Sequence, residues 1–260
     1  MITLETYDDV TRVVMSTRVS RAIGYSVSAY LVRGVLIDLG FPAVGDELHA
    51  FLRDRRPEGV LLTHWHEDHA GNVELAARDA LPIGASPATI AVLGEAPPIG
   101  LYRRAIWGTP PRLATAIVPF DAESLRLVPT PGHSDDHHVV WDAGRDTLFA
   151  GDLFLGVKVR MAHPGERPRA LARSVRQAAA LRPKRLFDAH RGLVSDPVNT
   201  LLAKADWMDE TIDAIDRAIA AGWSDRAIAR EVLGAEPLEH YVSRGAMSKV
   251  NLVRAVRAGG

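Results

Sequence analysis

The chain has no cysteine among its 260 residues. Disulfides, thiolate metal sites and cysteine nucleophiles are therefore excluded, and any metal must be held by His, Asp or Glu. A charge surplus is also missing, with 31 Lys and Arg against 32 Asp and Glu. That balance gives no global attraction to nucleic acid or to a membrane surface, although it leaves room for a local basic patch. No apolar run approaches the ~20 residues of a bilayer span. The opening Met1-Ile2-Thr3-Leu4-Glu5 lacks the basic-then-apolar pattern of a signal peptide. A cytoplasmic protein with no membrane partner is the resulting expectation. Composition is otherwise ordinary for a globular chain, 47% hydrophobic and 24% charged, and the length suits one large domain or one domain with an appendage.

What the sequence does have is concentrated. The stretch LLTHWHEDHAGN, residues 61–72, places His64, His66, Glu67, Asp68 and His69 within six positions, directly after an apolar run. Strand patterns occur at 10–15, 25–32, 35–40, 59–63, 82–85, 124–130, 137–142, 146–151 and 185–189, with helical patterns at 46–55, 71–78, 87–94 and 169–181. Four of the apolar runs end in a turn bearing His or Asp. GVLLT leads to His64, His66, Asp68 and His69; RLVPTPG to His133; DTLFAG to Asp152; RLFDA to His190. Residues at the ends of adjacent strands can converge on one point, where open sheets place their sites.

These donor types suit zinc, which neutral imidazoles and carboxylates bind at ~2 Å. Seven ligands are enough for two ions, with one carboxylate shared. Two dications facing two carboxylates keep a positive excess, which lowers the pKa of a shared water toward neutrality and polarises a carbonyl or phosphoryl oxygen. The implied chemistry is metal-assisted hydrolysis.

Five elements, VLIDLG (35–40), THWHEDHAGN (63–72), PTPGHSDDH (129–137), AGDLFLG (150–156) and DAHRG (188–192), appear in an order that resembles the metallo-β-lactamase superfamily over the first three quarters of the chain. The resemblance implies an α/β fold, an αββα sandwich with a metal site at one edge. It implies that His64, His66 and His133 hold one metal, that Asp68, His69 and His190 hold the other, and that Asp152 bridges. The expected cofactor is two Zn²⁺, with Fe or Mn as the alternative. Asp38 and His137 are candidates to orient ligands from behind. True zinc β-lactamases usually carry Cys or Ser where this chain has Asp152, so β-lactam hydrolysis is not the expected primary role. GHSDDH together with a helical tail resembles the lactamase-beta-2-like branch, and the THxHxDH string is shared with glyoxalase II thioesterases. AHRG at 189–192 departs from the forms expected of both.

Substrate signals come from charge and aromatics. Basic residues dominate Lys158 to Arg185, and Lys158, Arg160 and Arg191 lie nearest the proposed ligands in sequence. They would favour a small anionic substrate. GLYRRAIWG (100–108) reads as a lid offering Tyr102 and Trp107, or as a surface helix packing them inward. From Asn199 onward only helical patterns occur, at 199–222, 224–233 and 243–257. The domain reading is 1–196 catalytic and 197–260 a helical, winged-helix-like extension, for packing or dimerisation. The functional expectation is a dinuclear zinc hydrolase of an ester-like or thioester small molecule, thioesterase or lactonase in type, using a metal-bridging hydroxide with Asp68 as the catalytic acid–base. The alternatives are a metal-dependent nuclease of RNA or DNA that grips its substrate with the tail, and an iron persulfide dioxygenase. A homo-oligomer is left open.

Overall fold

In the computed structural model, which describes residues 1–259, the β-branched runs form two mixed sheets. The first contains, in spatial order, β1 (Ile2–Tyr7), β2 (Val10–Met15), β3 (Val27–Val32), β4 (Val35–Ile37), β5 (Gly59–Leu61) and β6 (Ile83–Gly84). Pairing is antiparallel up to β4 and parallel from β4 to β6. The second sheet runs β11 (Gly192–Val194), β10 (Arg185–Asp188), β9 (Thr147–Phe149), β8 (His138–Asp142), β7 (Arg126–Pro129). Its β9–β10 pair is parallel and the others are antiparallel.

Period-two alternation sorts the side chains into layers. In β3, Tyr30 and Val32 point into the space between the sheets, while Val27 and Ala29 point outward. In β9 and β10, Phe149 and Phe187 stack inside at 5.3 Å, while Leu148 and Leu186 face out. The outer face of the first sheet is covered by α2 (Gly45–Arg55), α3 (Val73–Arg78), α4 (Pro87–Glu95) and the short α1 (Arg18–Ala22) and α5 (Leu101–Trp107). The outer face of the second is covered by α6 (Pro168–Ala180), α7 (Pro197–Ala220), α8 (Asp225–Ile228) with the π-helical turn that continues it (Ala229–Leu233), and α10 (Lys249–Arg257), whereas the short α9 (Leu238–Val242) leaves Leu238, Tyr241 and Val242 exposed. This is the αββα sandwich. Each fully buried Leu or Phe in these layers contributes about 1.5–3 kcal/mol relative to exposure.

The tail is mainly helical, but the expected helix at 243–257 begins late, at Lys249, because residues 243–248 form a turn. Gly245 takes φ +83°, which ends α9 and its following turn, and Ser248 then caps α10 by accepting from Asn251 N at 3.1 Å. On α7, Leu201, Ala205, Met208, Ile212 and Ile215 form one apolar stripe against Leu171, Val175 and Ala178 of α6. Ion pairs flank that stripe, Arg169–Asp216 at 2.7 Å and Arg176–Asp206 at 2.8 Å. No helix among the described residues is long and apolar enough to cross a membrane.

Candidate metal centre

β4 and β5 are parallel, as are β9 and β10, so the loops leaving their C-terminal ends emerge at one edge of the sandwich. The edges of the two sheets are sewn together there. His138 N donates to Thr63 O at 2.8 Å, and Ser28 N donates to Ala189 O at 2.7 Å. The loop after β5 carries His64, His66, Asp68 and His69; the loops after β7, β9 and β10 carry His133, Asp152 and His190.

The structure brings all seven side chains together. His64, His66, His133 and Asp152 present donor atoms within 4.8 Å of one another, as do Asp68, His69 and His190. Asp152 faces both groups. Its Oδ2 is 3.3 Å from His133 Nε2, while its Oδ1 is 3.1 Å from His69 Nε2 and 3.2 Å from His190 Nε2. In the first group, His66 Nδ1 lies 3.0 Å from His64 Nε2 and 2.9 Å from His133 Nε2. A tetrahedral ion with ~2 Å bonds holds its ligand atoms ~3.3 Å apart, so this spacing fits a cation among three nitrogens. His69 Nε2 and Asp152 Oδ1 are buried and, although close to each other, make no well-directed hydrogen bond among the described residues. Such groups are expensive to bury unless something charged satisfies them. The donor set therefore fits two dications.

Electrostatics agree with that fit. Burial holds His64, His66 and His133 below the usual imidazole range, which keeps them neutral as a ligand must be. At His190 burial opposes charging, but Asp152 and Asp68 outweigh it and push the imidazole up to about 9. The second group is thus an acidic pocket that attracts positive charge.

A further layer fixes the ligands. Asp38, at φ +63°, accepts from Thr63 N at 2.8 Å and from His69 Nδ1 at 2.8 Å. His137 Nε2 accepts from Asp152 N at 3.1 Å, and its Nδ1 is tied to Thr130 Oγ1 at 2.9 Å. Gly151 gives this ring its space, since a Cβ there would lie 2.8 Å from His137 Nε2. Asp136 accepts from Trp65 N at 2.9 Å and so joins the His66 loop to the His133 loop. Sequence reading missed Asp188. Its carboxylate accepts from His190 N and Arg191 N at 2.7 Å each and from Leu155 N at 2.8 Å, linking two ligand loops. The only signal for it was its place in DAHRG, two residues before a ligand.

The rim differs in part from expectation. Trp107 is not offered to the cleft; it is 6% exposed and packs on Phe41 with ring centroids 4.6 Å apart. Tyr102, on the same short helix, does point to the centre's surroundings. It stacks parallel to His163 at 6.4 Å, with its hydroxyl 3.4 Å from His163 Nδ1. The helix is moored by Arg103, which donates twice at 2.5 Å to the buried carboxylate of Glu67, between the candidate ligands His66 and Asp68. Lys158, Arg160 and Arg191 are exposed and form no ion pair among the described residues. Lys204 of α7 is 2% exposed and donates to the carbonyls of Phe154 and Gly156, in the loop after Asp152. Burial pushes its ammonium down to about 8.

The sequence profile described as the metallo-beta-lactamase superfamily matches residues 22–190. The chain belongs to the metallo-beta-lactamase superfamily. It is 28% identical over 213 residues to the Beta-lactamase-like protein 2 homolog of Drosophila melanogaster, covering 72% of this chain and 68% of that one. It is 31% identical over 159 residues to Thioesterase pkgB of Emericella nidulans, covering 55% of this chain and 42% of that protein, so it spans less than half of the thioesterase. Among solved structures, a metallo-beta-lactamase family protein from Thermus thermophilus has a TM-score of 0.66 at 18% identity, covering 97% of this chain and 95% of the other. That likeness extends through the C-terminal helices and concerns the fold. The superfamily membership and the two donor groups make the chain a metallo-hydrolase.

Proposed function

We propose that the chain hydrolyses a thioester of a small acid, using two metal ions, zinc in the first instance. The observation that carries the two-ion reading is Asp152, whose two oxygens face separate donor groups at 3.1–3.3 Å. His64, His66 and His133 would hold one ion, and Asp68, His69 and His190 the other, with Asp152 between them. When bound, the ions lower the pKa of water and polarise an acyl oxygen. Asp68 is the residue placed for proton work. Its Oδ2 lies 3.8 Å from His190 Nε2, and no side-chain hydrogen bond consumes it among the described residues. It would orient the attacking water and pass that water's proton to the departing thiolate. Asp38, His137 and Asp188 hold the ligand loops still during this transfer. Lys158, Arg160 and Arg191 would attract the anionic carrier of the acyl group.

Support for a thioester comes from the similarity to Thioesterase pkgB and from the largely apolar lining beside His133 and Asp152. A phosphodiester reading through the tail has less support. Arg254 and Arg257 pair with Asp225, and Lys249 donates to the carbonyls of Leu233 and Ala235. Those cations are engaged within the protein, which leaves little of the basic stripe a nucleic acid would need. The test is one plate of zinc-loaded protein with an acyl thioester, a lactone and a phosphodiester, and Asp68→Asn as control. Thioester turnover that falls at least a hundredfold in the variant is expected. Phosphodiester turnover with a silent thioester well would replace the proposal with the nuclease.

A further inference from the structure

A small cavity of about 40 Å³ opens beside the proposed metal centre, with His133 and Asp152 on one wall. Leu155, Met161, Leu171, Trp207 and Met208 make most of the remainder apolar. Two of these come from α7, in the C-terminal helices. By volume the cavity has room for about two or three waters, or for the short tail of an acyl group.

Two polar side chains also line it, and neither is satisfied in the usual way. Lys204 is a fully buried ammonium with no carboxylate within 4.0 Å among the described residues. Two of its three N–H groups go to the carbonyls of Phe154 and Gly156, leaving one without a partner among the described residues. Glu166 lies across the same space, its side chain 14% exposed. One of its oxygens accepts from His163 N at 3.1 Å and lies 3.6 Å from His133 Nδ1; the other has no partner among the described residues. The cavity thus offers one donor and one acceptor inside an apolar shell. An alkyl tail would leave both unpaired, and a carboxylate would satisfy Lys204 while facing Glu166. A hydroxyl satisfies both at once, because it accepts from Lys204 and donates to the free Glu166 oxygen.

We propose that this cavity is the acyl subsite, and that Lys204 and Glu166 select a short acyl group carrying a hydroxyl beyond its reacting carbonyl. The C-terminal helices are then part of the specificity machinery, with Trp207 and Met208 setting the length of tail accepted. This rests on the thioester reading, since the acid released on hydrolysis would carry the same tail.

The experiment is calorimetric titration of the zinc-loaded full chain with acetate, butyrate, 3-hydroxybutyrate and 4-hydroxybutyrate. One hydroxy acid should bind about tenfold tighter than butyrate, the value of a hydrogen bond to a charged group. Lys204→Met should remove that preference while butyrate still binds. Because Lys204→Met also releases the 154–156 loop, Met208→Trp provides an independent arm. By filling the cavity it should weaken all three four-carbon acids at least tenfold and leave acetate unchanged. Equal or absent binding across the series in the unmodified chain overturns the subsite, as does a Met208→Trp chain that binds the four-carbon acids normally. Binding needs no turnover, so the two claims fail separately. A hydroxyl preference with a silent thioester assay would refute the thioester reading and keep the subsite; turnover without any preference would do the reverse.

Discussion

Replacing Asp38 by asparagine tests how the ligand loop is oriented. The side chain is buried at 3% exposure and receives three donors: Thr63 N at 2.8 Å, Thr63 Oγ1 at 2.9 Å and His69 Nδ1 at 2.8 Å. Accepting from Nδ1–H fixes the His69 tautomer and leaves Nε2 as the lone-pair nitrogen, 3.1 Å from Asp152. Asparagine keeps the shape and tolerates the φ of +63°. It has only one acceptor oxygen, however. If that oxygen stays on Thr63 N, the NH₂ meets His69 Nδ1 and drives the proton to Nε2, where it blocks coordination. Outer partners of this kind change metal affinity 10- to 100-fold, about 1.4–2.7 kcal/mol. Asp38→Asn should therefore lose that much affinity for its more weakly held ion, measured by zinc titration against a chelating indicator. Metal-free stability in urea should change less. Asp38→Ala should add a folding penalty, because buried donors are orphaned at about 1–3 kcal/mol each and alanine is strained at this φ by about 1–2 kcal/mol. An Asp38→Asn chain that holds both ions with unmodified affinity would refute the tautomer reasoning.

Two other perturbations probe the surroundings. Arg103→Ala leaves the Glu67 carboxylate buried and unpaired and should destabilise the chain by about 3–5 kcal/mol in urea unfolding; the double variant Arg103→Met, Glu67→Leu should recover most of the loss. Glu74 of α3 accepts from Ala114 N at 2.8 Å and Thr115 N at 3.0 Å, and these bonds hold its carboxyl down at about 2. Because its folded-state value lies below the usual one, its stabilisation is fully present above about pH 4.5 and is lost as the pH falls toward 2. Glu74→Gln should accordingly cost about 1–3 kcal/mol at pH 7 and almost nothing near pH 2, read from urea midpoints across that range.

The parts of this architecture legible in sequence are those whose causes are local. The buried runs 10–15 and 185–188 declare themselves because β-branched and apolar residues follow one another with turn residues outside. The seven clustered His and Asp side chains could be picked out because each follows such a run, and a strand end is where a sheet presents polar groups. β1 escaped because it is an edge strand exposed on both faces from Thr3 to Thr6, so ITLETY gives little apolar contrast. The mooring of α5 escaped for another reason. Glu67 and Arg103 are 36 residues apart, and neither position shows in sequence that it will be buried against the other. Lys204 is the same case, its partner Phe154 O lying 50 residues away, and Asp188 is so in part, since it holds Leu155 N from 33 residues away besides His190 N and Arg191 N close by. Residues that support a site through distant backbone atoms leave no periodic or motif signal. For Trp107 the sequence allowed either a lid or a surface helix packing it inward, and the side chain packs inward on Phe41.

The most direct test of the two-ion centre is a count of bound metal. Zinc-saturated protein, freed of loose ion and measured by elemental analysis, should hold two equivalents per chain, and Asp152→Ala should fall to one or fewer, because both donor groups lose the carboxylate they share. One equivalent in the unmodified chain, or two retained in Asp152→Ala, would contradict the shared-carboxylate arrangement on which the proposed hydrolysis depends.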